Sequence, residues 1–469
     1  MEKLLLSEIA SAINAETSHE AEITEICTDT RQLSKGCLFI ALKGENFDAH
    51  DFVPKAFELG AAACITERKI DGCDCIIVDD CRKALRDIAH FYRNKFNLFL
   101  VGVTGSVGKT TTKEMIALAL SSKLNTLKTQ GNLNNEIGLP KTLFNLTSEH
   151  QAAVIEMGMS HFGEISRLTR TASPLSAGVI TNIGFSHIEN LKSQEGILKA
   201  KLEITEGMPE NSPLVLNGDD KHLWEVKDKL NRKVYTYSIE NSDADFRAEN
   251  INEHDGITEF TAVYEGKRKD VILSAVGRHN VMNVLAAICI GRIAGIDDDL
   301  IINSFAKYQP DALRQNISVK KGQTVITDCY NASPDSMRAS LSVLDGMKCS
   351  GRKIAVLGDM LEMGEMSEKL HRMVGEMAVK IKPDMIFCYG NDAQYIYDTV
   401  KKSGKIILNT IFCRKLRLNS GDFEIPAHLF SIVAALLIKG FSQIISYCIS
   451  FKQITAVNLS VFRVYNVQI

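Results

Sequence analysis

The chain has 469 residues, 45% hydrophobic and 24% charged, which is ordinary for a globular protein and too long for one core, so about three domains are expected. A net charge of −3 excludes nucleic-acid binding by bulk electrostatics and leaves room only for a local basic patch. The 12 cysteines are scattered, and Cys73 and Cys75 form a lone C-x-C with no second pair at metal spacing. That pattern points to reduced thiols in a reducing compartment. The start carries Glu2, Lys3 and Glu8 in place of the basic flank and apolar run of a secretion signal. A cytoplasmic protein is expected, a monomer without stable membrane insertion.

In chain order, a first block to Asn97 holds a short strand (Cys37 to Leu42), a helix (Asp51 to Leu59) and an apolar run (Ala61 to Ile65). A second block opens on Leu98 to Val103, an apolar run of buried-strand type. Ala152 to Ile155, Ala177 to Ile180 and Leu214 to Leu216 have the same character, with helical stretches between them. Such alternation predicts a doubly wound, mostly parallel sheet of the P-loop type. A third block begins near Ala312, where Val325 to Thr327, Ile354 to Leu357 and Met385 to Cys388 alternate with helices in a Rossmann-like way. The fold class is therefore α/β with a small α/β N-terminal domain at 1–97, a central domain at 98–311 and a C-terminal domain at 312–469.

The first chemistry-bearing motif follows Leu98–Val103 directly. Thr104, Gly105, Ser106, Val107, Gly108, Lys109, Thr110 and Thr111 lead into a helix, Lys113 to Leu120. Strand, glycine loop and helix start make an anion site, because backbone N–H groups turn inward and the helix N-terminus adds a positive field. Lys109 can reach outer phosphates and Thr110 can offer a hydroxyl to Mg²⁺. The spacing departs from the usual pattern of about four residues between the glycines: two separate Gly105 from Gly108 and five separate Gly102 from Gly108. A glycine turn beside an accidental lysine is the plain alternative, and the flanking strand and helix argue against it. ATP binding alone does not separate a ligase from a switch or a motor.

Later segments narrow the class. Gln130 to Pro140, Val154 to Ser160, Thr181 to His187, Ala200 to Ile204, Gly277 to Asn283, Asp328 to Ser336 and Leu357 to Gly364 occur in one order over about 260 residues. Together they resemble the Mur ligases of peptidoglycan assembly. Asn132 to Pro140, Glu156-Met157-Gly158 and Gly358-Asp359-Met360-Leu361-Glu362 resemble the branch that adds D-alanyl-D-alanine to UDP-N-acetylmuramoyl-tripeptide. The third-residue branch carries an Asp-Asn-Pro-Arg motif that is missing here. Another Mur or folylpolyglutamate-type ligase, and a non-ligating nucleotide-binding protein, are the rival readings.

The resemblance implies ATP, Mg²⁺ (two ions) and an acyl-phosphate route. Glu156, at a strand end, is implied as a Mg²⁺ ligand and His187 as the second-metal histidine; alone, such a histidine reads as packing. Lys201 resembles a lysine carbamylated by CO₂ that joins the metal set, a reaction that needs burial to lower its pKa; Lys199 is the alternative. Asn280 and Asn283, at i and i+3 on one helix face, fall in the segment used around adenine. Arg314 resembles the linker arginine that reaches the γ-phosphate, although Leu313 stands where glycine is usual. Asp328, Tyr330, Asn331 and Pro334 belong to a loop that closes over the nucleotide. Lys109, His187, Lys201 and Arg314 are thus the catalytic candidates. Thr28, Asp29, Thr30, Arg31, Lys43 and Gly44, with Asn134 and Asn135, resemble the uridine-nucleotide region, with Ala49 at a frequent glycine position.

The C-terminal stretch departs from the family. Ile425 to Ile469 contains no Asp or Glu, and its only Lys and Arg are Lys439, Lys452 and Arg463. Ile425 to Ile438 is apolar but shorter than the roughly 20 residues of a membrane span. Only Ala435 to Ser442 resembles the family's final strand region, so about 405–469 is read as atypical, through a shifted reading frame or a diverged terminus.

Overall fold

The computed structural model describes residues 1–45, 47–320, 322–404, 409–413 and 433–436. Asn46 in the expected uridine segment lies outside the described residues. So does the acid-free stretch apart from Val433–Leu436, and with it the reading of that stretch as atypical and too short for a membrane span.

The central sheet has nine strands. Its parallel part runs Thr126–Lys128, Ala152–Glu156, Phe99–Thr104, Ala177–Ile180, Leu214–Asn217, Val234–Ser238 and Phe246–His254 from edge inward. Two antiparallel strands, Ile257–Tyr264 and Lys267–Leu273, complete it. The strands that read as apolar runs are buried along their length, as a sheet covered on both faces requires. The long hairpins at the far edge were not foreseen. Asp255-Gly256 and Glu265-Gly266 turn them, each residue with positive φ (48° and 82°, 50° and 74°), as two-residue hairpin turns demand.

Phe99–Thr104 pairs with Ala152–Glu156 on one side and Ala177–Ile180 on the other. From this strand the chain winds first toward one edge and then toward the other. Open α/β sheets bind ligands at the carboxyl ends beside such a switch point. The helix Lys109–Ser121 leaves this end and packs on Arg278–Ile293. Every residue from Asn280 to Gly291 of the latter is buried, so even its polar residues are held between sheet and helix.

The N-terminal part carries a parallel sheet of four strands, Ile26–Cys27, Leu38–Ile40, Ala63–Thr66 and Ile76–Ile77. Its helix Cys81–Arg93 is capped by Asp80, whose carboxylate accepts from Arg82 N and Lys83 N. Arg93 at the helix end donates to the carbonyls of Ala172, Phe96 and Pro174 at 3.0, 3.1 and 2.9 Å, tying this part to the central one. The C-terminal sheet has six strands in the order Asn316–Lys320, Gln323–Thr327, Val433–Leu436, Lys353–Gly358, Met385–Tyr389 and Asn409–Cys413. The last three are mutually parallel, and Val433–Leu436 runs antiparallel to both neighbours. One apolar cluster continues from Leu4 through Leu139 and Ile204 to Val400, crossing all three parts. Among the described residues no helix is long and apolar enough to cross a membrane.

Candidate active site

The glycine loop is shaped by the segment after the neighbouring strand. Gly105 has φ +152°, and a Cβ there would lie 1.8 Å from Thr181 Oγ1, so only glycine lets the chain pass. Gly108, at φ +84°, turns the loop into the helix. Asn182 Oδ1 accepts from Ser106 N and Val107 N at 3.0 and 2.9 Å. Thr181 Oγ1 donates to the Val107 carbonyl at 2.6 Å, and Gly184 N donates to Ser106 Oγ at 2.9 Å. Lys109 Nζ arches over the loop to the Gly105 and Ser106 carbonyls at 2.9 and 3.3 Å. Burial lowers the Lys109 pKa, Glu156 acts against that, and Arg314 adds to it.

Glu156 ends its strand with 1% exposure. Asn134 Nδ2 donates to its Oε1 at 2.9 Å, while Oε2 is buried without a hydrogen-bond donor. The nearest cation is Lys113, one turn along the helix from Lys109, at 3.9 Å from Oε2. Lys113 is itself buried and divided between the Thr129 carbonyl at 2.8 Å and Glu114 at 3.0 Å. A buried carboxylate oxygen left open in this way suits a hard cation. Among the described residues no three His, Cys, Asp or Glu converge as a metal set. Magnesium commonly takes one or two protein ligands and completes its shell with phosphate and water, so the residues present fit that ion.

His187 follows Ala177–Ile180 and starts the short helix Ile188–Leu191 at φ +63°. Its Nδ1 contacts Glu362 Oε2, from the C-terminal part. The pairing holds the Glu362 carboxyl below the usual carboxylate range. Lys201 is 2% exposed, whereas Lys199 on the same helix is exposed. Burial, and secondarily the charge of Lys109, lowers the Lys201 pKa well below the ordinary lysine value. A neutral amine is what carbamate formation requires.

The opposite wall comes from the helix Arg278–Ile293 and the C-terminal part. Asn283 Oδ1 accepts from Thr112 Oγ1 at 2.8 Å, and its amide donates to Asn280 Oδ1 at 3.2 Å. Burial pulls His279 down to about 4, and the neighbouring Gln315 amide pulls weakly the other way. The Arg314 guanidinium stacks on the Tyr330 ring 4.1 Å from its centroid. Asp328 accepts from Ser340 Oγ, and burial raises it to about 6 although Arg314 pulls the other way.

One cavity of about 970 Å³ joins these walls. Ser106, Val107, Gly108, Lys109, Thr110, Thr111, Asn134, Asn135, Glu156, His187, Asn280, Asn283, Arg314, Asp328, Tyr330 and Asn331 all line it. Gly105 and Lys201 are not among the lining residues, although Lys201 is close enough to Lys109 to feel its charge. Thr28, Asp29, Thr30, Arg31, Lys43 and Gly44 are absent from the lining and follow the N-terminal strands Ile26–Cys27 and Leu38–Ile40, where Asp29 is paired with Arg31 at 2.6 Å and held at about 2, chiefly by that guanidinium. Lys113, Asn182, Gln315 and Glu362 were not singled out from sequence. The available signals were Lys113 at helical spacing from Lys109, and the family-like segments Thr181 to His187 and Gly358 to Glu362 that contain Asn182 and Glu362.

The family described as Mur ligase, middle domain, matches residues 103–291. The Mur ligase catalytic domain family matches 22–93, and the glutamate ligase domain family matches 314–417. A UDP-N-acetylmuramoyl-tripeptide–D-alanyl-D-alanine ligase of Bacillus subtilis is 38% identical over 403 residues, 85% of this chain and 87% of that protein. The chain belongs to the Mur ligase family. The Escherichia coli protein of the same description is 39% identical over 402 residues, 84% of this chain and 88% of its own. Among solved Mur ligases, the MurF crystal structure from Acinetobacter baumannii superposes with a TM-score of 0.81 at 32% identity, covering 85% of this chain and 88% of that one. The MurF ligase of Thermotoga maritima in complex with ADP gives 0.74 at 29% identity, covering 83% and 93%.

Proposed function

We propose that the chain is an ATP-dependent ligase that joins D-alanyl-D-alanine to UDP-N-acetylmuramoyl-tripeptide in peptidoglycan precursor synthesis. The observation that carries the reading is the single cavity lined by Lys109, Glu156, His187, Arg314 and Asp328. The dipeptide as amine rests on the curated relatives, whose described activity this is.

A carboxylate is a poor electrophile, so the tripeptide's terminal acid first takes the γ-phosphoryl group and releases ADP. The dipeptide amine then attacks the acyl carbon, loses a proton, and the tetrahedral intermediate expels phosphate. Lys109, the loop N–H groups and the helix N-terminus hold the phosphates. Arg314, always charged and fixed on Tyr330, stabilises the charge of the transferring group. Asn280 and Asn283, which line the cavity, would contact the nucleoside. Glu156, His187 and Thr110 would hold Mg²⁺, which when bound neutralises phosphate charge. Lys201 as a neutral amine would combine with CO₂, lose a proton and present a carbamate anion toward that site; its burial, against exposed Lys199, supports the assignment. The N-terminal residues from Thr28 to Gly44 would receive the uridine end, with the substrate spanning to Asn134 and Asn135. The unbridged thiols Cys27, Cys37, Cys64 and Cys81 of the N-terminal part suit a reducing cytoplasm.

The test is ADP release by the full chain with UDP-N-acetylmuramoyl-tripeptide, carrying lysine or diaminopimelate, and a panel of amines. Turnover is expected with D-alanyl-D-alanine and not with D-alanine, L-lysine or L-glutamate alone. Preference for a single amino acid would move the chain to another branch. ATP binding without carboxylate-dependent turnover would refute ligation.

A further inference from the structure

The loop after Lys353–Gly358 is held rigidly. Asp359 accepts from Asn391 N and Ala393 N at 2.9 and 2.7 Å, and Met360 N donates to the buried His371 Nε2 at 3.0 Å. This frame thrusts Glu362 across to the central part. There its carboxylate lies within ion-pair reach of His187 Nδ1, a buried ring nitrogen that has no other hydrogen-bond partner among the described residues, and its carbonyl accepts from Glu189 N at 3.3 Å. A Cβ on Gly364 would lie 3.0 Å from the Glu189 side chain, so the two loops are in close contact. Both members of the pair have left-handed backbones, φ +61° at Glu362 and φ +63° at His187. That conformation is unfavourable for a residue with a Cβ, and persists where the surroundings over-determine it. A second acid, Asp335, approaches Gly184 from the same C-terminal part.

A metal-binding histidine commonly gives its other ring N–H to a carboxylate, which fixes the tautomer and aims the ligand nitrogen. We propose that Glu362 is a positioning residue that takes the Nδ1 proton of His187 and leaves Nε2 as the metal-facing nitrogen. Because Glu362 belongs to the C-terminal part, docking of that part completes the histidine's metal-binding form. Closure and the metal site are thereby coupled through one contact. This rests on the reading of His187 as a metal ligand.

The experiment uses the full chain with ADP and Mn²⁺ as the probe, titrated by electron paramagnetic resonance, in the parent, Glu362→Ala, Glu362→Gln and His187→Ala. The His187 tautomer is read in parallel from imidazole ¹⁵N resonances, assigned by their loss in His187→Ala. Glu362→Ala should weaken one Mn²⁺ site by roughly 10- to 100-fold, the usual effect of losing such a partner, and shift His187 away from the Nδ1–H form. Glu362→Gln, whose amide oxygen still accepts the proton, should keep that tautomer and most of the affinity. A contact that merely glues the parts together would leave the tautomer unchanged, which overturns the proposal. Tighter Mn²⁺ binding in Glu362→Ala overturns it too, by making Glu362 a competitor of the metal. If His187→Ala binds Mn²⁺ like the parent, the ligand reading itself fails. If it loses a site that Glu362→Ala keeps, only the role of Glu362 fails.

Discussion

Lys201→Met should make the protein more stable while removing its activity. The lysine is 2% exposed, and the charge it feels is the like charge of Lys109. Methionine keeps most of the stem and drops the ammonium. Exchange of buried ionic groups for apolar isosteres is neutral to stabilising by about 1–4 kcal/mol, and here no opposite charge is orphaned. The pH dependence has a definite sign. With the folded pKa well below 10.5, the unfolded chain binds the extra proton between the two values. The parent therefore gains stability as pH rises there, by up to about 1.4 kcal/mol per pH unit. The variant lacks that proton, so its advantage should be full below the folded pKa, shrink through the window and reach its minimum near 10.5. Urea unfolding in CO₂-free buffer measures this. Trp224, the only tryptophan, lies on the helix Lys221–Val226, which packs on Gln194–Leu202, and reports on this region. Added bicarbonate should stabilise the parent alone, since only the native amine captures CO₂. A variant less stable than the parent near neutral pH, or an advantage that stays flat from about pH 7 to pH 10, would refute the reasoning.

Other outcomes follow from single contacts. Glu156→Gln should lower turnover by roughly 10²–10³-fold, as loss of one preorganised electrostatic contact does, with a raised Mg²⁺ requirement in the ADP-release assay. Gly105→Ala drives a methyl into Thr181; nucleotide titration calorimetry should show ATP binding lost while binding of the uridine nucleotide persists. Arg93→Met strips the buried Ala172 and Phe96 carbonyls and the part-buried Pro174 carbonyl of a donor and should cost on the order of 2–3 kcal/mol in urea unfolding. Asp328, raised to about 6, weakens the folded state once ionised. Asp328→Asn should therefore be the more stable protein above that pH, with the gap closing as pH falls toward 3.8, read from melting curves across pH.

Much of the site could be read in one dimension. Strand, loop and helix around Lys109 are contiguous, and Glu156 and His187 end or follow apolar runs that are strands in the sheet. The far hairpins escaped notice because their polar, half-exposed strands lack the apolar runs of the buried ones, although Asp255-Gly256 carried a turn signal. Lys113 looks like any solvated helix lysine until its burial beside Glu156 is seen.

By itself the sequence determined the phosphate loop, the order of the strands along the chain and the residue types offered at their ends. Those depend on local backbone preference and on the periodicity of apolar side chains, which neighbours in the chain settle. Only the tertiary structure decided that Lys201 is buried where Lys199 is exposed, that Asn182 braces the loop, and that Glu362 reaches His187 from another part of the molecule. Burial and pairing across sheets are set by the packing of segments far apart in the chain, and no window of sequence contains both partners.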